Sequence, residues 1–134
     1  MIQMRFLILA VVLILLAATP ACSGDDDVHF QVGIKNLTTG DVNGTTFHSP
    51  TLDTGVGFLA AADYKTTGPF SGDLPAEGDV QWTSADGKQH SVHVKIPPKP
   101  KPFDGMLWLK IMPDGTAAAV PLTDDECFNK HIQP

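Results

Sequence analysis

The chain has 134 residues, with 15 acidic side chains against 9 basic ones and a formal net charge of −6. Arg5 is its only arginine and the lysines are dispersed, so the planar fork that grips phosphate is missing from the rest of the chain, and no nucleic-acid partner is expected. The length allows one core of common domain size and leaves no room for a second.

In chain order, Arg5 supplies a minimal positive start, and Phe6 to Ala18 is an uncharged apolar run of the length of a signal-peptide core. Phe6 to Ala21 is 16 residues, short of the ~20 that span a bilayer. The run ends in a box of small residues, Thr19-Pro20-Ala21-Cys22-Ser23-Gly24. These residues resemble the lipobox-type signal peptide of bacterial lipoproteins, and the resemblance covers the first 24 residues. It implies that residues 1–21 are removed, that a diacylglyceryl group is placed on the Cys22 thiol, and that the new amino terminus is acylated. Ser23, where an Asp would favour inner-membrane retention, implies the periplasmic face of the outer membrane, with the inner membrane as the alternative. A lipid on Cys22 would leave Cys127 without an intrachain disulfide partner, so the fold must stand on packing.

Residues 22–27 read as an acidic tether, kept extended by Asp25, Asp26 and Asp27. Residues 28–122 read as the folded domain and 123–134 as a polar tail. Val28, Phe30, Val32 and Ile34 alternate with polar or small residues, which predicts a first strand with one buried face. Val42 to Phe47 predicts a second, interrupted near Asn43-Gly44; Gly55 to Ala62 is a weaker apolar stretch, and Asp63 to Thr67 predicts an edge strand. Pro69, Gly72, Pro75 and Gly78 predict a long loop.

Val80 and Trp82, a turn containing Asp86-Gly87, and Val92, Val94 and Ile96 predict a β-hairpin with Trp82 in the core. Four prolines between Pro97 and Pro102 predict an extended connector. A second hairpin turns at Asp114-Gly115, with Leu107, Leu109 and Ile111 on one face and Met106, Trp108 and Lys110 on the other. No sustained helical period follows residue 27, so the expected fold is an all-β antiparallel sandwich of about seven strands. Val80-Gln81-Trp82, Asp86-Gly87-Lys88, Val92 to Pro97 and Gly105 to Ile111 resemble small immunoglobulin-like or transthyretin-like periplasmic lipoprotein domains. That resemblance covers roughly the second half of the chain and implies a shape, not an activity. No cysteine pair flanks Trp82, which excludes an antibody-type inter-sheet disulfide.

Chemistry is sparse. His90 and His93 stand three apart on a strand and so face opposite sides, which keeps them from sharing one metal ion. Only His93 combined with a distant His29 or His48 leaves a metal site open; none is otherwise expected, and neither is a cofactor beyond the lipid on Cys22. There is no G-x-S-x-G elbow, and the aspartates stand mostly beside Gly or Pro at turns, where they bond their own backbone. The expectation is therefore a non-enzyme: an anchored lipoprotein that binds or supports another envelope protein. An inhibitor or immunity-type lipoprotein and a metal or small-ligand carrier are the alternatives. The candidate binding surface joins Met106, Trp108 and Lys110 to Lys99 and Lys101 of the connector, an apolar centre with a basic rim; the alternative is that Met106 and Trp108 are packed under the connector as core.

Overall fold

The computed structural model describes residues 29–129. The proposed signal peptide, Cys22, the acidic tether, Val28 and residues 130–134 lie outside that range, as does the side chain of Cys127. Eight strands follow one another: β1 His29–Asn36, β2 Val42–His48, β3 Asp53–Leu59, β4 Tyr64–Ser71, β5 Glu77–Ser84, β6 Gln89–Lys95, β7 Gly105–Ile111 and β8 Ala117–Thr123. Among the described residues one short helix, α1, spans Asp124–Asn129. The strands form two four-stranded sheets, ordered β4-β1-β7-β8 and β3-β2-β5-β6, and the protein is an all-β sandwich.

Alternation decides which side chains fill the space between the sheets. Phe30, Val32 and Ile34 from β1, Leu107, Leu109 and Ile111 from β7, Phe47 from β2 and Val80 and Trp82 from β5 all belong to one buried core. Both hairpins turn where Asp-Gly stands, with Gly87 at φ 85° and Gly115 at φ 83°, left-handed angles that glycine adopts without a Cβ clash. The interruption at Asn43-Gly44 is a bulge, seen as a register shift between Val42 and Thr45. Buried Asn36 closes β1, its Nδ2 donating to the carbonyls of Gly40 and Leu59 and its Oδ1 accepting from the Thr38 amide.

Several expectations need correction. Among the described residues the strands number eight, because β3 and β4 are full strands on the sheet edges, and the loop expected from Pro69 to Gly78 shrinks to residues 72–76. Pro69 sits inside β4, where an edge strand tolerates the missing N–H. The sandwich is not wholly antiparallel, since β1 runs parallel to β7 from Phe30↔Gly105 to Asn36↔Ile111. The expected polar tail begins with a helix. Its cause is a capping box: the Glu126 amide donates to Thr123 Oγ1 and the Thr123 amide donates to Glu126 Oε1, both at 3.2 Å. Asp124 and Asp125 in the first turn favour the positive end of the helix.

Candidate functional site

Trp108 is where the expected surface and the structure part. Its parity is as read, on the outer face of the β4-β1-β7-β8 sheet, yet only 6% of it is exposed. Gly33 stands directly beside it on β1, and a Cβ at that position would fall inside the Trp108 ring. The indole therefore lies flat over the glycine, and Tyr64 closes its far side edge-on at 5.4 Å between ring centroids. Trp108 is packed rather than presented. Met106 is half-buried beside it, paired with Leu122 of β8.

Lys99 and Lys101 do not join this face. The connector crosses the end of the sandwich where β7 begins, whereas Lys110 stands five residues along that strand, ~17 Å away at strand spacing. Both connector lysines are also neutralised locally. Lys99 Nζ donates to Glu126 Oε1 at 2.6 Å, and Lys101 Nζ lies 3.0 Å from Asp73 Oδ2. The Lys99 ammonium, with the Thr123 amide, holds the Glu126 carboxyl down at about 2, against an ordinary 4.5. A depressed carboxylate contributes stability that is complete above its ordinary value and is lost as pH falls toward its folded one. Glu126→Gln should therefore destabilise the protein near neutrality, and its deficit should close between pH 4.5 and about 2. Urea denaturation of both proteins across that window measures this; a deficit that persists undiminished at the acid end contradicts it.

What remains on the outer face is Lys35 of β1 and Lys110 of β7, directly paired in register and both half-buried at their bases. Among the described residues, no carboxylate lies within ion-pair distance of either. Lys35 is flanked on its other side by Tyr64 of β4, which is 45% exposed, and Lys110 by Ala118 of β8. Phe58, 49% exposed on the neighbouring edge strand β3, carries the Lys65 ammonium 5.8 Å from its ring centre. Two unneutralised cations side by side repel one another, and an anion on the face would relieve that.

The turn end of the sandwich brings together Ser84, Asp86 and His90. His90 Nε2 lies 3.1 Å from Ser84 Oγ, and its ring stacks on Trp82 at 4.9 Å and 7°. The order of bonds is wrong for a nucleophile, because Asp86 accepts from the Ser84 hydroxyl instead of orienting the imidazole. That hydroxyl and the Lys88 amide hold the Asp86 carboxyl below its usual range, which is the chemistry of a braced turn.

At the opposite end, where the chain enters at His29, an open groove of about 820 Å³ is walled mainly by Phe30, Leu52, Phe70, Leu74 and Pro75. Beside it, on the outer face of the second sheet, His48 Nδ1 lies 2.9 Å from Asp53 Oδ1 and His93 Nδ1 lies 2.8 Å from Asp79 Oδ1. His93 Nε2 also stands 3.5 Å from Glu77 Oε2, and the two carboxylates, Asp79 first, raise the His93 pKa above the usual imidazole value. As placed, no group of three His, Cys, Asp or Glu side chains among the described residues could hold a metal ion. His90 and His93 do face opposite sides, since His90 packs on Trp82 and His93 lies in the open with Asp79. The carboxylates that meet the histidines went unforeseen: Asp79 is adjacent to His48 and His93 only through strand register.

No protein-family model matches the chain, and comparison with curated proteins finds no match. Among solved structures it is similar to the NMR structure of a protein from Eubacterium rectale, with 17% identity and a TM-score of 0.50. The similarity covers 75% of this chain and 95% of that one, and at such identity it bears on the fold alone.

Proposed function

We propose that the protein is a non-catalytic lipoprotein, anchored through Cys22 at the periplasmic face of the outer membrane, that binds or supports another envelope protein. The anchor reading is supported by the apolar run from Phe6 to Ala18 and the small-residue box around Cys22. The partner reading rests on one observation: Lys35 and Lys110 stand side by side without a carboxylate partner among the described residues, on a face where Tyr64 is exposed. An acidic chain that keeps two cations together beside an aromatic ring presents a surface suited to a partner bearing carboxylates. Met106, half-buried on the same face, adds an apolar element to that surface. Lys99 and Lys101 belong to the end of the sandwich and take no part.

A photo-crosslinking residue at Ala118, which pairs with Lys110, tests this in intact cells. The expected result is a discrete adduct with one envelope protein that Lys35→Glu combined with Lys110→Glu abolishes, with the melting temperature preserved. An adduct indifferent to the charge reversal, or no adduct, contradicts the surface.

A further inference from the structure

The pairing register of the second sheet lines up four residues from four strands in a single row. Asp53 of β3 pairs with His48 of β2, His48 pairs with Asp79 of β5, and Asp79 pairs with His93 of β6. In the next row Phe47 pairs with Val80 and both are buried, so alternation puts the Asp53–His48–Asp79–His93 row on the outer face. The hydrogen bonds His48–Asp53 and His93–Asp79 confirm that these side chains share it. Adjacent strands are ~4.8 Å apart, so the backbone positions of His48 and His93 flank that of Asp79 at roughly equal distances on either side. Glu77, two residues from Asp79 on β5, reaches the same place and approaches the other nitrogen of His93. His48, Glu77, Asp79 and His93 line one shallow cavity, together with Pro50.

We propose that His48, Asp79 and His93 form a binding site for a borderline divalent transition-metal ion of the zinc class, with Glu77 beside His93 as an outer hydrogen-bond acceptor. Two imidazole nitrogens and a carboxylate oxygen are the donor set that such ions take from proteins, and a set of three leaves a coordination position open toward solvent. The imidazoles are at present turned onto acids, His48 onto Asp53 and His93 onto Asp79 and Glu77. Binding requires His48 to rotate from Asp53 toward Asp79 and His93 to offer one nitrogen to the ion. Both side chains are about half exposed, His48 at 47% and His93 at 52%, so neither ring is enclosed and the turn exchanges a surface hydrogen bond for the ion. Asp53 and the remaining carboxylate are then free to accept from the imidazole N–H groups, the outer bonds that orient histidine ligands. Hard ions such as magnesium, which take oxygen in octahedral geometry, do not suit two nitrogens. The site does not depend on the lipid anchor or on the Lys35–Lys110 face, which lies on the other sheet.

Isothermal titration of the full chain in detergent with zinc chloride, and with magnesium chloride as the comparison, tests this. The expected result is zinc binding at one site and none of magnesium at the same concentrations. His48→Gln and His93→Gln should each weaken zinc at least tenfold, whereas His90→Gln should leave it unchanged. Histidine ring NMR gives a second readout that does not depend on variants: zinc should shift the nitrogens of His48 and His93 and leave those of His90 in place. Zinc binding that survives both substitutions, ring signals of His48 and His93 that do not move, or no binding at all overturns the proposal.

Discussion

Trp82→Ala should destabilise the protein by about 3 to 5 kcal/mol, the range for truncating a large buried aromatic. Trp82 is 3% exposed, sits in the core that both sheets share, and supports the ring of His90 by stacking. Truncating a buried indole leaves a cavity as well as a lost transfer term. Domains of this size have only about 5 to 15 kcal/mol in total. No disulfide is expected within the chain to offset the loss. Thermal and urea denaturation decide the matter: a melting curve close to wild type would place Trp82 outside the core and undo the packing described here.

Cys22→Ser should release the protein from the membrane while leaving the sandwich intact. Each buried methylene contributes ~0.8 kcal/mol, so two or more acyl chains hold a protein to a bilayer and their removal ends stable attachment. A serine hydroxyl cannot take the place of the thiol in a thioether. The substitution falls outside residues 29–129, which hold the sandwich described here, so stability should not change. Fractionation should then find the variant away from the membrane, with an unaltered melting temperature. A variant that stays with the membrane contradicts the anchor.

Much of the fold was legible because it is local. The alternation in β1, β5, β6 and β7 named the core-facing residues, and Asp-Gly marked both hairpin turns. The edge strands were harder to see. β3 is rich in small residues, with Gly55 and Gly57, and β4 contains Gly68 and Pro69, so neither has a strong period of two. The parallel pairing of β1 with β7 joins residues some 75 positions apart, and no local pattern encodes it. The helix, by contrast, was written in Thr123-Asp124-Asp125-Glu126, an N-capping signature that the polar character of the tail disguised.

The candidate surface shows where parity stops being enough. It placed Met106, Trp108 and Lys110 on one face correctly, but facing outward is not the same as being exposed. Gly33, silent in an alternation pattern, makes the hollow that Trp108 fills, and Tyr64 covers the ring from an edge strand. Lys35, whose neighbour across the strands is Lys110, was the missed member of that face. The histidine row has the same character. His48, Asp79 and His93 are brought together by register across three strands, which the spacing along the chain cannot reveal.

Mass spectrometry of the amino-terminal peptide from membrane-extracted protein tests the central claim most directly. The account predicts a peptide that begins at Cys22 and carries the added mass of a diacylglyceryl group, with a further acyl chain on its amino group. A peptide that begins at Cys22 without acyl mass, or that still includes residues 1–21, would contradict it.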